Sequence, residues 1–280
     1  MMRVGSLCSG YGGLELGLKP LMNVKSEWHS EIDSDADFVM QQRFGSQNLG
    51  DLTQITNPPE VDMVTAGFPC QPVSYAGYRK GINDERWLIE DVCRIAAEAN
   101  ARWLILENVR GLLTANGGDA LARVAEAMAL NGFARWEWTT FQARHIGAPH
   151  RRDRWFCVAT NPESSNGRSE EPQDMATPTS PLPELGERPS LFGKWEPAIQ
   201  RWERIIGRLA PTPNITTHTK YDYVSPRFVE WMMGLPEGHV TDLGLPYEAQ
   251  LKLLGNGVVP LQATHAIQFL MSNHKENQYA

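Results

Sequence analysis

The side chains with chemical potential fall in a few short runs. Cys70 lies in Gly67-Phe68-Pro69-Cys70-Gln71-Pro72, where two prolines stiffen the backbone on either side and hold the sulfur in one place. Its thiolate would be a nucleophile, populated by nearby cations or a helix N-terminus. Glu107, in Glu107-Asn108-Val109, is a carboxyl able to take up or release a proton. Arg144, Arg151, Arg152 and Arg154 form a basic run with His145 and His150 among them, and guanidinium groups stabilise developing negative charge. Glu31 stands where a carboxylate accepts hydrogen bonds from ribose hydroxyls, or is a surface acid. Asp51 accepts from an adenine amino group or caps a turn. Plain readings stand beside the others too. A lone cysteine is usually buried packing, Glu107 fits a helix cap, and a row of arginines fits a solvated face.

These groups act together only if the chain gathers them. Val61 to Ala66 is an apolar run ending in a sharp turn, which predicts a buried strand with Cys70 at its mouth, where open α/β sheets bind ligands. Arg3 to Leu7 reads as the first strand, Cys8-Ser9-Gly10-Tyr11-Gly12-Gly13 as a glycine-rich turn, and Leu14 onward as helix. That order opens a nucleotide-type site, because glycines let the backbone approach a ligand and the helix start presents free N–H groups. The spacing is not GxGxxG, so no phosphate is implied, and a plain tight turn fits as well. Val24 to Trp28 is the second strand, with Asp33 capping a helix to about Arg43.

After Cys70, Ser74 to Asn83 is a loop rich in Tyr and Gly, and Asp84 is expected to cap a helix whose apolar face is Leu88, Val92, Ile95, Ala96 and Ala99. Trp103 to Leu106 is a buried strand that carries Glu107 at its end, facing the same crevice as Cys70. Asp119 to Leu130 is an amphipathic helix, and Ala134–Ala143 with Arg154–Thr160 can pair as strands. Asn161 to Ser190 is rich in proline, Ser, Thr and Glu, and reads as a linker or loosely ordered insert. Glu196 to Leu209 resumes as helix with Trp202, Ile205 and Ile206. Ser225-Pro226 begins another that ends near Gly234. Gly255-Asn256-Gly257-Val258-Val259-Pro260 is read as a turn before a last helix, Leu261 to Met271.

With 41% hydrophobic and 21% charged residues among 280, the chain can bury a full core, which excludes a disordered polymer. Cys8, Cys70, Cys93 and Cys157 form no CxxC pair and meet no histidine at zinc spacing, which argues against a disulfide framework or structural zinc. No run approaches the ~20 apolar residues of a membrane span and no signal pattern opens the chain, so a soluble, cytoplasmic protein is expected. The net charge of −7 disfavours nucleic acid as a partner only if positive charge is evenly spread. Arg144 to Arg154, then Lys194, Arg201, Arg204 and Arg208, allow an acidic protein with a basic cleft.

Taken in order, these segments resemble the DNA (cytosine-5) methyltransferases from Val4 to Leu270, apart from about Asn161 to Tyr223. The glycine motif is similar to Cys8–Gly13 and the proline-cysteine motif to Pro69-Cys70-Gln71. Glu107-Asn108-Val109 and Pro149–Arg154 match the next two, with Arg152 and Arg154 in the arginine places. Arg227 through Gly234 with Pro236, and Gly255 to Val259, match the last two. His150 stands where many members carry Gln, and Gly257 where many carry Ser.

The resemblance implies an α/β, Rossmann-like S-adenosylmethionine-dependent methyltransferase fold, a mostly parallel sheet with an antiparallel hairpin, plus a small target-recognition domain. Residues 1–160 would form the catalytic and cofactor-binding domain, 161–224 the recognition insert with its Pro-rich linker, and 225–280 a hinge helix and a segment returning to the catalytic domain. It implies methyl transfer from S-adenosyl-L-methionine to carbon 5 of a cytosine flipped out of duplex DNA, through a covalent Cys70 adduct. Glu107 would neutralise the ring at nitrogen 3, and Arg154, supported by Arg152, would hold the ring's carbonyl oxygen. Ser9, Gly10, Tyr11, Gly12, Glu31, Ile32, Asp51, Leu52, Asn256, Gly257 and Val258 would contact the donor, with Ile32 against the adenine face.

Gln71, Ser74, the Tyr75–Lys80 loop and Arg227 would follow the DNA, while the insert reads bases from the major groove. No metal is implied. The implied partner is double-stranded DNA, for a monomer of bacterial or phage origin, and a separate restriction endonuclease partner is allowed. Rival readings are a tRNA cytosine-5 methyltransferase of the same family, a catalytically inactive DNA-binding homologue, and a cysteine hydrolase using Cys70 with His145 or His150. The Cys70→Ala variant is expected to bind DNA and transfer no methyl group; a filter-binding assay paired with a methyl-incorporation assay checks both halves, and undiminished turnover would sink the nucleophile assignment.

Overall fold

The computed structural model describes residues 1–69, 87–166, 185–186, 188–216 and 222–276. A seven-stranded sheet forms its centre. Strands β1 (Met2–Leu7), β2 (Val24–Ser30), β3 (Gln47–Asn48), β4 (Met63–Ala66), β5 (Trp103–Val109), β6 (Arg135–Gln142) and β7 (Asp153–Thr160) lie in the order β3-β2-β1-β4-β5-β7-β6. The first five are mutually parallel, and β7 runs antiparallel to both β5 and β6. This is the Rossmann-like methyltransferase arrangement, with the hairpin at one edge.

Side-chain alternation sorts the sheet onto two faces, as period-2 geometry requires. Met63, Ile105, Phe156 and Val158 face one core with Leu14 and Leu18 of α1 (Gly13–Leu18) and Ala263, Ala266 and Ile267 of α8 (Pro260–Glu276). Val64, Leu104, Leu106, Trp155 and Cys157 face the other core, under α3 (Ile89–Glu98) and α4 (Asp119–Leu130). The buried face of α3 is Ile89, Val92, Cys93, Ile95 and Ala96, so its stripe begins one residue after the expected Leu88. Its N-cap is Leu88, with no side-chain cap bond; Asp84 lies outside the described residues.

A third core closes the end of the sheet that carries the loops. Tyr11 and the α2 helix (Ser34–Phe44) meet Ile199 and Trp202 of α5 (Glu196–Ile206), Trp231 of α6 (Pro226–Met232), and Leu253 and Leu254 of α7 (Tyr247–Asn256). Asp33 caps α2, accepting from the N–H groups of Asp35 and Ala36 at 3.0 and 3.3 Å, and Ser225 caps α6. Three expectations need correction. Helix α5 stops at Ile206 because Gly207 takes the left-handed conformation that ends a helix, so it does not reach Leu209. Gly255-Asn256 is the last turn of α7, a helix the sequence reading did not contain, and α8 runs past Met271 to Glu276. A short antiparallel pair, β8 (Asn214–Thr216) and β9 (Asp222–Val224), leads into α6.

No described helix is long and apolar enough to cross a membrane.

Buried polar groups lock this third core. Glu230 is 1% exposed and accepts from the N–H groups of Gly238, Val240 and Thr241 and from the Thr241 hydroxyl. His239 donates from Nε2 to the Tyr11 carbonyl at 2.8 Å. Burial pushes its pKa down and the Arg43 and Lys19 charges push the same way, against the Tyr11 carbonyl and Glu230. A histidine held below its ordinary value leaves stability intact above the unfolded pKa of about 6.5 and removes it as pH falls, since only the unfolded chain takes the proton. Burial depresses His150 and His265 as well. Thermal melts between about pH 7 and 5 should therefore show a falling midpoint on acidification, and a shallower fall in His239→Gln; an unchanged slope in that variant would remove His239 from the account.

Candidate active site

Strands β1 and β4 are neighbours whose connections leave in opposite directions, β1 toward β2 and β4 toward β5. A crevice opens outside the carboxyl ends of strands at such a reversal. Here its cavity volume is about 190 Å³. Ser6 and Leu7 of β1, the Cys8-Ser9-Gly10 turn, and Leu14 and Glu15 of α1 form one wall, and Lys252, Leu253 and Asn256 of α7, with Gly257 and Val258, form the opposite one. Glu31 and Asp33 close it on the β2 side, Gly67 and Glu107 on the β4–β5 side.

The Glu31 carboxylate ties two loops together. It accepts from Gly10 N–H at 3.1 Å, and from the N–H groups of Ile32 and Asp33 at 3.0 and 3.1 Å. Four described carboxyl side chains line the crevice (Glu15, Glu31, Asp33, Glu107) against one ammonium, Lys252, itself paired with Asp33 at 2.5 Å. Among the described residues, the Ser9 hydroxyl and Glu15 Oε2 are buried there without a partner. An acidic crevice with unmet polar atoms suits a cationic ligand that brings its own hydrogen-bonding groups.

Of the expected donor contacts, Ser9, Gly10, Glu31, Asn256, Gly257 and Val258 line the crevice. Tyr11 and Gly12 stand behind it. Tyr11 is fully buried and donates to the Val258 carbonyl at 2.7 Å, while Gly12 turns the chain at φ +78 with Phe44 packed where a side chain would be. Ile32 is 81% exposed, Asp51 caps a short turn by accepting from Thr53 N–H at 2.9 Å, and Leu52 is buried in the core.

Glu107 lies within β5 rather than at its end, opposite Phe156, and Arg154 lies opposite Val109. The two are thus diagonal neighbours on one face of the sheet. Arg154 Nε meets Glu107 Oε1 at 2.9 Å. Burial pushes the Glu107 carboxyl above its ordinary range, against the opposing pull of Arg154 and Arg152. The chain that leads to Cys70 passes over this carboxyl: a Cβ on Gly67 would sit 3.7 Å from Glu107 Oε2. Asn108 steadies that exit, donating to the Phe68 carbonyl at 3.3 Å. The Phe68 ring meets Trp87 edge-on at 6.0 Å. Cys70, Gln71, Ser74 and the Tyr75–Lys80 loop lie outside the described residues.

Arg152 does something the resemblance does not suggest. Its guanidinium donates to the carbonyls of Gly255 (3.1 Å), Asn256 (3.3 Å) and Gly257, meeting the acceptors left over at the end of α7. Its backbone sits at φ +26, a strained value, while its carbonyl accepts from Gln262 Nε2 at 2.8 Å and Ala143 N–H at 3.2 Å. Arg152 therefore holds the Asn256-Gly257 wall in place. His150 is anchored too, Nε2 to the Met232 carbonyl at 3.0 Å. Arg227 pairs with Asp242 at 2.6 Å on an exposed surface. In the second basic group, Arg208 and Arg201 donate to the Leu235 and Gly147 carbonyls at 2.8 and 3.4 Å.

The sequence reading passed over Ser6, Glu15 and Lys252. Glu15 left a signal, as the one charged residue in Leu14-Glu15-Leu16-Gly17-Leu18. Lys252 left none, because nothing in the sequence marks the helix that presents it.

The model of the C-5 cytosine-specific DNA methylase family matches residues 2–224, and the chain belongs to that family. It is 32% identical over 197 residues to the type II methyltransferase M2.BsuMI of Bacillus subtilis strain 168, covering 68% of this chain and 48% of that protein. With the type II methyltransferase M.BsuFI of Bacillus subtilis it shares 34% over 160 residues, 56% of this chain and 39% of the other. The chain thus spans less than half the length of either relative. Among solved structures, the methyltransferase EhMeth of Entamoeba histolytica has the same fold, with a TM-score of 0.64 at 15% identity over 98% of this chain and 99% of that one.

Gly257 departs from the family's frequent serine for a reason visible in the packing. A Cβ there would overlap the Tyr11 ring. Gly257→Ser should lower stability by about 1–3 kcal/mol, as overpacking does, and the loss should shrink in a Tyr11→Ala background; denaturant melts of the four proteins decide it, and an equal penalty in both backgrounds would mean that the ring is not the obstacle.

Proposed function

We propose that the protein is a DNA (cytosine-5) methyltransferase, transferring a methyl group from S-adenosyl-L-methionine to carbon 5 of a cytosine flipped out of double-stranded DNA. The observation that carries this reading is the Glu107–Arg154 pair, set under the strand exit that leads to Cys70, at the rim of an acidic crevice. The donor fits that crevice by charge, being cationic at its sulfur and its amino group, and when bound it supplies an electrophilic methyl group.

Cys70 is the nucleophile in this scheme. Burial pushes Cys8 and Cys93 each up to about 12, with nearby carboxylates adding to the rise, and Cys157 well up, so the three described cysteines are held as thiols. Attack by the Cys70 thiolate on carbon 6 breaks the ring's aromaticity and moves electron density to carbon 5 and nitrogen 3. Glu107, its proton affinity raised by burial, gives nitrogen 3 a proton or shares one with it. Arg154 turns its guanidinium to the ring's carbonyl oxygen and stabilises the charge there, while Arg152 fixes the opposite wall. Carbon 5 takes the methyl group, its proton leaves to a base, and elimination returns Cys70 to the free thiolate.

Residues 161–224 serve as the recognition segment, between a catalytic unit of residues 1–160 and a returning segment of 225–280. Gln71, Ser74 and Arg227 contact the DNA. The relatives are named type II methyltransferases, which supports a type II modification role; we place the enzyme in the cytoplasm, opposite a separate restriction endonuclease.

A duplex with 5-fluorocytosine at the methylated position cannot lose its carbon 5 substituent, so the enzyme should be trapped in the presence of the donor. Proteolysis and mass spectrometry should place the adduct on Cys70. An adduct elsewhere, or none, overturns the proposal. Glu107→Gln should slow adduct formation by about 10²–10⁴-fold. In the wild type the rate should fall as pH rises through the raised Glu107 pKa, where the carboxyl loses its proton.

A further inference from the structure

Glu15 is a buried acid without an evident task in the fold. It is 1% exposed, on the first turn of α1. One carboxyl oxygen, Oε1, accepts from the Thr65 hydroxyl of β4 at 2.5 Å. The other, Oε2, is buried with no hydrogen-bond partner among the described residues, and the residue lines the crevice. A buried carboxyl oxygen left unmet costs stability unless a bound group satisfies it. The Ser9 hydroxyl is buried and unmet in the same crevice. A carboxyl acceptor and a hydroxyl donor together complement an ammonium and a carboxylate on one carbon, the end of a free α-amino acid.

The strand order gives this end a direction. Glu31 follows β2, and Thr65, which holds Glu15, lies on β4; the two strands flank β1. A nucleoside held from the β2 side would therefore direct an amino-acid tail toward β4. We infer that Glu15 receives the ammonium group of the methyl donor's amino-acid tail, with Ser9 donating to its carboxylate. The inference rests on the methyl-donor reading above, and adds to it a charged contact in a dry part of the crevice, where a hydrogen-bonded ion pair is strong.

Calorimetric titration of the full chain with S-adenosylhomocysteine and with its analogue lacking the amino group tests this. The wild type should bind S-adenosylhomocysteine at least tenfold tighter, a difference of about 1.4 kcal/mol. In Glu15→Gln the ratio should fall toward one, because affinity for S-adenosylhomocysteine drops and affinity for the analogue holds. If that variant does not fold, the double variant Glu15→Leu/Thr65→Val removes the acid together with the hydroxyl that donates to it, and carries the same expectation. A ratio unchanged by the substitution, or equal binding of both ligands by the wild type, overturns the role of Glu15 and leaves the methyl-donor reading standing. Wild-type protein that binds neither ligand overturns both.

Discussion

A carboxyl buried as deeply as Glu107 must be met by a charge or a proton, and the architecture around it follows from that requirement. The charge comes from Arg154, which only an antiparallel neighbour to β5 delivers at the right register. That neighbour, β7, is held by β6 on its far side and by α8 beneath. Gln262 of α8 is fully buried and donates to the Phe141 and Arg152 carbonyls, pinning the hairpin where its two strands begin to separate. The edge hairpin thus carries an electrostatic duty as well as a packing one.

Arg152, two residues from Arg154, binds the same hairpin to the opposite wall of the crevice. By capping α7 it sets the positions of Asn256 and Gly257. Gly257 in turn lies against Tyr11, whose hydroxyl reaches Val258. Tyr11 belongs to the glycine turn, and its carbonyl holds His239. The crevice is therefore framed by contacts between segments far apart in the chain.

Much of this was legible in the residues. The apolar runs at Val61–Ala66 and Trp103–Leu106 specify strands, because no other element buries so short an apolar stretch on both faces. The Ser225-Pro226 start and the Asp33 cap specify helices through local hydrogen bonding alone. Helix α7 was not legible: its apolar residues crowd at Leu251, Leu253 and Leu254 without a clear stripe, and Gly255 reads as a stop although the helix continues to Asn256.

By itself, then, the sequence determined the order of most elements, the family, and which side chains have the chemistry for a site, since these depend on residue type and near neighbours. Tertiary structure alone decided how those side chains are used. Tyr11 and Arg152 sit in motifs that suggest ligand contact, yet Tyr11 packs behind the crevice and Arg152 caps a helix more than a hundred residues away in the chain. Glu15 sits in an apolar stretch that suggests packing, yet one of its oxygens is unmet at the crevice wall. Where a side chain ends up depends on partners brought close by the sheet's register and by the cores on its faces, and spacing along the chain does not encode those distances.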